Sequence, residues 1–195
     1  MANPQARAMT PEEFEAWHRD QLERYEYIDG HPQLKFASWE GNKMMVGASQ
    51  AHNLVTGNVF AAIRQSLKGQ TCRVFAADGK VVTPKGNYRY PDVTVDCGAF
   101  DPKATVLAQP ALVVEVLSKA THWIDTTRKL EEYKAIASMR YILFLSQEDF
   151  RAQLWTRGDA WQLREYEGLG STLPLPPFAP ALTFAAIYEG IEFES

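Results

Sequence analysis

The chain has 195 residues, 46% of them hydrophobic and 23% charged, and carries a formal net charge of −4. That is enough for one domain with its own core, and no apolar run nears the roughly 20 residues that span a bilayer. The negative balance argues against a protein whose whole surface grips nucleic acid, but it leaves room for a local basic patch.

Met1 to Thr10 contains no apolar stretch, so residues 1–9 read as a disordered lead-in rather than a signal peptide. Residues 10–195 then read as a single domain of a cytoplasmic protein. Thr10-Pro11-Glu12-Glu13 opens a first helix: threonine suits the N-cap, proline the first helical position, and Glu13 closes a capping box. Phe14, Trp17 and Leu22 give that helix an apolar side. Tyr25 to Ile28 reads as a strand running into an Asp29-Gly30 turn. Leu34–Trp39 and Lys43–Val46 are further short strands, with a turn at Glu40-Gly41-Asn42.

Ser49 to Leu67 is the clearest helix, with Leu54, Val55, Val59, Ala62, Ile63 and Leu67 near a 3.6-residue period and Gly69 as its stop. Cys72–Ala76, Lys80–Thr83 and Pro91–Cys97 have strand character. Ala111 to Leu117 is a continuous apolar run broken only by Glu115, the pattern of a strand covered on both faces. Asp125–Ala137 is a helix, Tyr141–Leu145 a buried strand, and Arg151–Thr156 with Trp161–Tyr166 a hairpin. The proline-rich Leu173–Pro180 is extended, and a short helix near Phe184–Tyr188 closes the chain. The order is α/β, with a central mixed sheet and a helix on each face. Cys72 and Cys97, without a CxxC pair, read as reduced thiols in a cytosolic chain.

Glu115 is the anomaly. An isolated carboxylate within an apolar strand is costly unless it is paired or binds a metal; the bland explanation is a strand-end position or an ion pair. Asp92, at the start of another sheet strand, favours the second explanation. Two neighbouring strands can bring two carboxylates within reach of one hard cation such as Mg²⁺ or Mn²⁺. Lys129, on the next helix and an i, i+4 partner of Asp125, is either a surface ion-pair member or an ammonium reaching that site.

Pro91-Asp92, Glu115-Val116-Leu117-Ser118, Asp125, Lys129 and Tyr133, in that order, resemble the Uma-two family of restriction-endonuclease-like proteins in the PD-(D/E)XK nuclease superfamily. The resemblance takes in Tyr25 to Gly30, Ser49 to Phe60 with His52, and Pro110 to Ser118. It implies an αβββαβ restriction-endonuclease-like core with an N-terminal β/α extension, and Mg²⁺- or Mn²⁺-dependent hydrolysis of phosphodiester bonds, with DNA as the expected partner. Asp92 and Glu115 are then metal ligands, and Lys129 joins them as the third catalytic residue. The superfamily lysine, expected two residues after the glutamate, falls on Leu117, and the family resemblance suggests its role has moved to Lys129. Lys119 competes but is out of alternation.

Glu26 matches a family acidic position and is either a third ligand or a solvent-facing strand residue. His52 is a phosphate contact or a structural helix residue, and Asp78 is a site carboxylate or a turn. Arg73, Lys80, Lys85, Arg89, Arg128 and Arg140 are candidates for a phosphate-binding rim. The apolar tail from Leu173 to Phe184 is a candidate homodimer interface. The competing functional reading is a catalytically inactive nuclease-fold protein that acts through protein or nucleic-acid interaction.

Overall fold

The computed structural model describes residues 7–35, 37–40, 43–46, 48–117 and 123–193. Helix α1 (Pro11–His18) begins as its sequence dictates: the Thr10 hydroxyl accepts from Glu13 N, and the Glu13 carboxylate accepts from Thr10 N at 2.9 Å. Phe14 is its buried residue, packed 5.1 Å from the Tyr27 ring. The helix stops at His18, four residues short of Leu22, which is 99% exposed and takes no part in the apolar side expected of it.

Strands β1 (Tyr25–Ile28) and β2 (His31–Leu34) form the first hairpin around Asp29-Gly30, both with positive φ. Gly30 is needed twice over: its φ is +85°, and a Cβ there would lie 2.8 Å from the Ala8 Cβ. The stretch expected to be one strand from Leu34 to Trp39 is divided between β2 and β3 (Ala37–Glu40), which pairs with β4 (Lys43–Val46). Gly41 and Asn42 of the expected turn lie outside the described residues.

Ser49 caps α2 (Gln50–Ser66), its hydroxyl accepting from His52 N at 3.0 Å. Five strands and a helix follow: β5 (Arg73–Ala76), the short hairpin β6 (Val81–Val82) and β7 (Tyr88–Arg89), then β8 (Val93–Asp96), β9 (Pro110–Leu117) and α3 (Trp123–Lys134). The chain continues through β10 (Tyr141–Ser146), β11 (Arg151–Thr156), β12 (Leu163–Glu167), β13 (Thr172–Leu175), β14 (Ala179–Thr183) and α4 (Phe184–Ile187).

The central sheet has six strands in the order β12-β11-β10-β9-β8-β5, antiparallel except where β9 and β10 run parallel through the α3 crossover. Read as α2-β5-β8-β9-α3-β10, this is the expected αβββαβ core with a mixed sheet. The excursion β6–β7 leaves it to join β1 and β2 in a four-stranded sheet ordered β2-β1-β7-β6.

Alternation along β9 divides the core. Leu112, Val114 and Val116 join Val55, Val59 and Ile63 of α2 on one face, while Val113 joins Tyr133 and Ile136 of the α3 side on the other. Glu115 keeps step with Val113 and therefore faces α3.

Two expectations need correction. The apolar tail does not form a free face: Leu173, Leu175, Phe178, Leu182 and Phe184 are buried against α2 within the same chain. Cys72 and Cys97 form a disulfide. The β5–β8 register explains it. Arg73 pairs with Asp96, so the next residues out, Cys72 and Cys97, stand opposite each other with Cα atoms 4.1 Å apart. A separation of 25 residues in sequence carries no trace of that adjacency.

Candidate active site

Asp92 and Glu115 meet because of register. Val93 of β8 pairs with Val114 of β9, so one residue further along Asp92 comes level with Glu115. Both are buried, at 2% and 3% exposure.

Asp92 Oδ2 accepts from the Val116 N–H at 2.8 Å and lies 3.2 Å from His52 Nε2. Lys35 Nζ lies 3.0 Å from Oδ1. Burial alone would push the Asp92 carboxyl up. The His52 hydrogen bond, the Lys35 charge, the His52 charge contribution and the Val116 N–H overcome it and hold the group well below the usual carboxylate range. An ionised carboxylate only accepts, so His52 Nε2 carries the proton of that bond.

Glu115 is the opposite case. Lys129 Nζ is 3.3 Å from Oε2 and the Tyr133 hydroxyl donates to Oε1 at 2.6 Å. Burial raises its pKa; Lys129 opposes this, and the negative charges of Asp92 and Glu26 add to it, leaving the carboxyl above its ordinary value. Two adjacent carboxyls are thus pushed in opposite directions, the pattern from which acid and base roles are read.

Glu26 stands behind this pair. Its Oε2 accepts from Arg89 NH1 at 2.6 Å and its Oε1 from the Tyr90 N–H at 3.2 Å. Arg89 is fully buried and donates through Nε to Glu132 Oε2 at 2.7 Å. Glu132 Oε1 accepts from Asn87 Nδ2 and from Arg128 Nε, and Arg128 reaches on to Asp29. A charged chain thus runs from Glu26 through Arg89 and Glu132 to the surface.

Of the residues picked from sequence, Asp92, Glu115, Lys129 and His52 converge, with Glu26 electrostatically coupled to them. Asp78 does not join them; its side chain is 79% exposed and pairs with Arg24 in the turn after β5. The Asp125 side chain lies outside the described residues. Two members of the expected phosphate rim are elsewhere: Arg89 is buried between Glu26 and Glu132, and Lys80 is buried against Glu15.

Sequence reasoning missed Lys35 and Glu132. Glu132 carried a readable signal, lying four residues after Arg128 and three after Lys129 on one helical face. Lys35, in the turn after β2, carried none.

Among the described residues, no three histidine, cysteine or acidic side chains form a ready-made metal cage. The donors at the centre nevertheless fit a hard divalent ion. They are carboxylate oxygens, Asp92 Oδ1 accepts no hydrogen bond among the described residues, and burial, with the Asp92 and Glu26 charges adding to it, raises Glu115 in a way that a cation would offset.

The sequence profile of the Uma2 family, described as "putative restriction endonuclease", matches residues 11–187. The chain belongs to the Uma2 family. A relative, the uncharacterized protein slr1290 of Synechocystis sp., is 28% identical over 189 residues, covering 95% of this chain and 94% of that protein. Among solved structures, the crystal structure of "a putative nuclease belonging to DUF820" from Anabaena variabilis superposes with a TM-score of 0.72 at 16% identity. That match covers 92% of this chain and 97% of the other, and it establishes that this Uma2 member shares the fold of that protein.

Proposed function

We propose that this Uma2 protein is a divalent-metal-dependent endonuclease that hydrolyses phosphodiester bonds in DNA. The observation that carries the reading is the register match that sets Asp92 level with Glu115, with the Lys129 ammonium on the latter. In this reading Asp92 and Glu115 hold Mg²⁺ or Mn²⁺. When bound, such an ion would supply Lewis-acid chemistry at a phosphodiester.

The protein groups do the rest. The Val116 N–H and His52 fix the Asp92 carboxylate in its ionised form. Tyr133 orients Glu115 from α3. Lys129 supplies positive charge where the phosphate gains negative charge in the transition state. Glu26 is turned away to Arg89 and Tyr90, which suits a residue that tunes the field at Lys129 rather than a direct ligand.

The test uses protein stripped with EDTA and supercoiled plasmid. Nicking that returns with Mg²⁺ or Mn²⁺, and is lost in Asp92→Asn and Glu115→Gln variants with unaltered circular dichroism, supports the reading. Absence of both metal binding and metal-dependent cleavage on DNA overturns it, and cleavage confined to an RNA substrate overturns the DNA assignment alone.

A second reading is a catalytically inactive nuclease-fold protein acting through protein or nucleic-acid interaction. It is favoured by Leu117 in the superfamily lysine's place and by carboxylates already paired with ammonium groups. Retained nucleic-acid binding without cleavage would support it.

A further inference from the structure

Among the described residues each carboxylate has its own lysine at ion-pair distance, and the Lys35 charge acts on Glu115 as well. Lys129 belongs to Glu115, at 3.3 Å, and Lys35 to Asp92, at 3.0 Å. Lys35 arrives from the turn after β2, where its backbone N–H donates to Arg24 O at 2.9 Å. Its side chain is 2% exposed and that of Asp92 is 3% exposed, so this is a sealed ion pair rather than a surface one.

The oxygens of Asp92 are divided as well. Oδ2 is committed to Val116 N and His52. Oδ1 accepts no hydrogen bond among the described residues and faces the Lys35 ammonium as a charge. Oδ1 is therefore the oxygen left for a cation to take, and a cation is already beside it. A buried carboxylate needs a compensating charge, and here the protein supplies its own.

We infer that Lys35 is the resident counter-cation of Asp92 and competes with the divalent metal for Oδ1. The inference rests on the metal-site reading above. A divalent ion at Oδ1 must either displace the ammonium or lie against it, and repulsion between them in a water-poor site lowers metal affinity. Without metal, the ammonium protects the fold from an unpaired buried charge. With nucleic acid present, the phosphate brings negative charge that offsets both cations, so metal and substrate bind better together than either does alone.

The experiment is calorimetric titration of Mn²⁺ into EDTA-stripped protein without nucleic acid, for the wild type, Lys35→Met, Lys35→Gln and Lys35→Arg. The two neutral variants should bind Mn²⁺ at least about tenfold more tightly than the wild type, and the Arg variant should stay near it. Metal-free Lys35→Met should also melt at lower temperature and gain more from Mn²⁺. If Lys35→Met does not fold, Lys35→Gln, which can still donate to Oδ1, carries the comparison. Wild-type binding with equal or weaker binding in the neutral variants overturns the inference and leaves the metal site standing. No Mn²⁺ binding by any of the four proteins sinks both.

Discussion

The Tyr133 hydroxyl donates to Glu115 Oε1 at 2.6 Å, one helical turn beyond the point where Lys129 meets the other oxygen of the same carboxyl. An i, i+4 pair on α3 therefore grips both oxygens of a buried group. Removing the hydroxyl leaves one of them without that donor. Tyr133→Phe should cost about 1–3 kcal/mol of stability, the penalty for a buried acceptor losing its partner. Urea unfolding measures it; a midpoint unchanged from the wild type would mean the bond contributes nothing.

Lys129 tests the chemistry rather than the fold. Lys129→Met keeps the stem and removes the charge. Single-turnover cleavage should slow by about 10²–10³-fold if the ammonium stabilises transition-state charge, while affinity for the nucleic acid changes little. A loss of affinity with an unchanged rate would move Lys129 from catalysis to binding.

Arg89 holds two buried carboxylates, Glu26 and Glu132. Arg89→Met takes the guanidinium from both, leaving Glu26 the Tyr90 N–H and Glu132 the Asn87 and Arg128 donors, and destabilisation of about 3–5 kcal/mol is expected in chemical denaturation. Adding Glu26→Gln and Glu132→Gln should recover part of that loss, because the charges that lost Arg89 are then gone. No recovery would show that Arg89 acts through packing.

Stability should also depend on pH through Glu26. Burial pushes its carboxyl up, but Lys129 and Arg89, with hydrogen bonds from Arg89 and the Tyr90 N–H, bring it below the ordinary 4.5. The folded value lies below the unfolded one. Ionised Glu26 therefore contributes stability in full above the unfolded value, and that contribution fades as pH falls through the folded one. In metal-free protein, the stability gap between wild type and Glu26→Gln should be widest near neutrality and close as the pH drops below about 4.5. Melting temperatures across that range decide it, and a gap that widens towards acid would contradict the assignment.

The Cys72–Cys97 disulfide closes a loop across 25 residues of sequence. On loop entropy alone, a Cys72→Ala/Cys97→Ala protein should lose about 3.5 kcal/mol. Urea unfolding of that double variant beside the oxidised wild type measures the difference, and equal midpoints would remove the disulfide from the account of stability.

Much of the core could be read from the chain because its signals are local. The capping box at Thr10, the Ser49 cap, the periodicity of α2 and the apolar run around Glu115 all act within a few residues. Asp92 and Glu115 were legible as a pair because each is a charge in strand surroundings. Other features depend on distance in sequence. Lys35 is an ordinary lysine after a hairpin until the fold carries it to Asp92. Arg89 reads as a surface cation until β7 pairs with β1, as Tyr88 does with Tyr27. The cysteine pairing follows from the β5–β8 register, which no spacing encodes. Leu22 misled for the reverse reason: its spacing suited the helix, but the chain had already left it at His18.

The four-stranded sheet delivers Glu26 from β1, Lys35 from the turn after β2 and Arg89 from β7 to the six-stranded core. A shortened chain beginning at Ser49 would retain every strand of the central sheet and both of its flanking helices, and so pass for a complete nuclease core. It would also surrender the counter-charge on Asp92 and the acid that Arg89 was buried to meet. The smallest unit that keeps these buried charges paired is therefore larger than the smallest recognisable one.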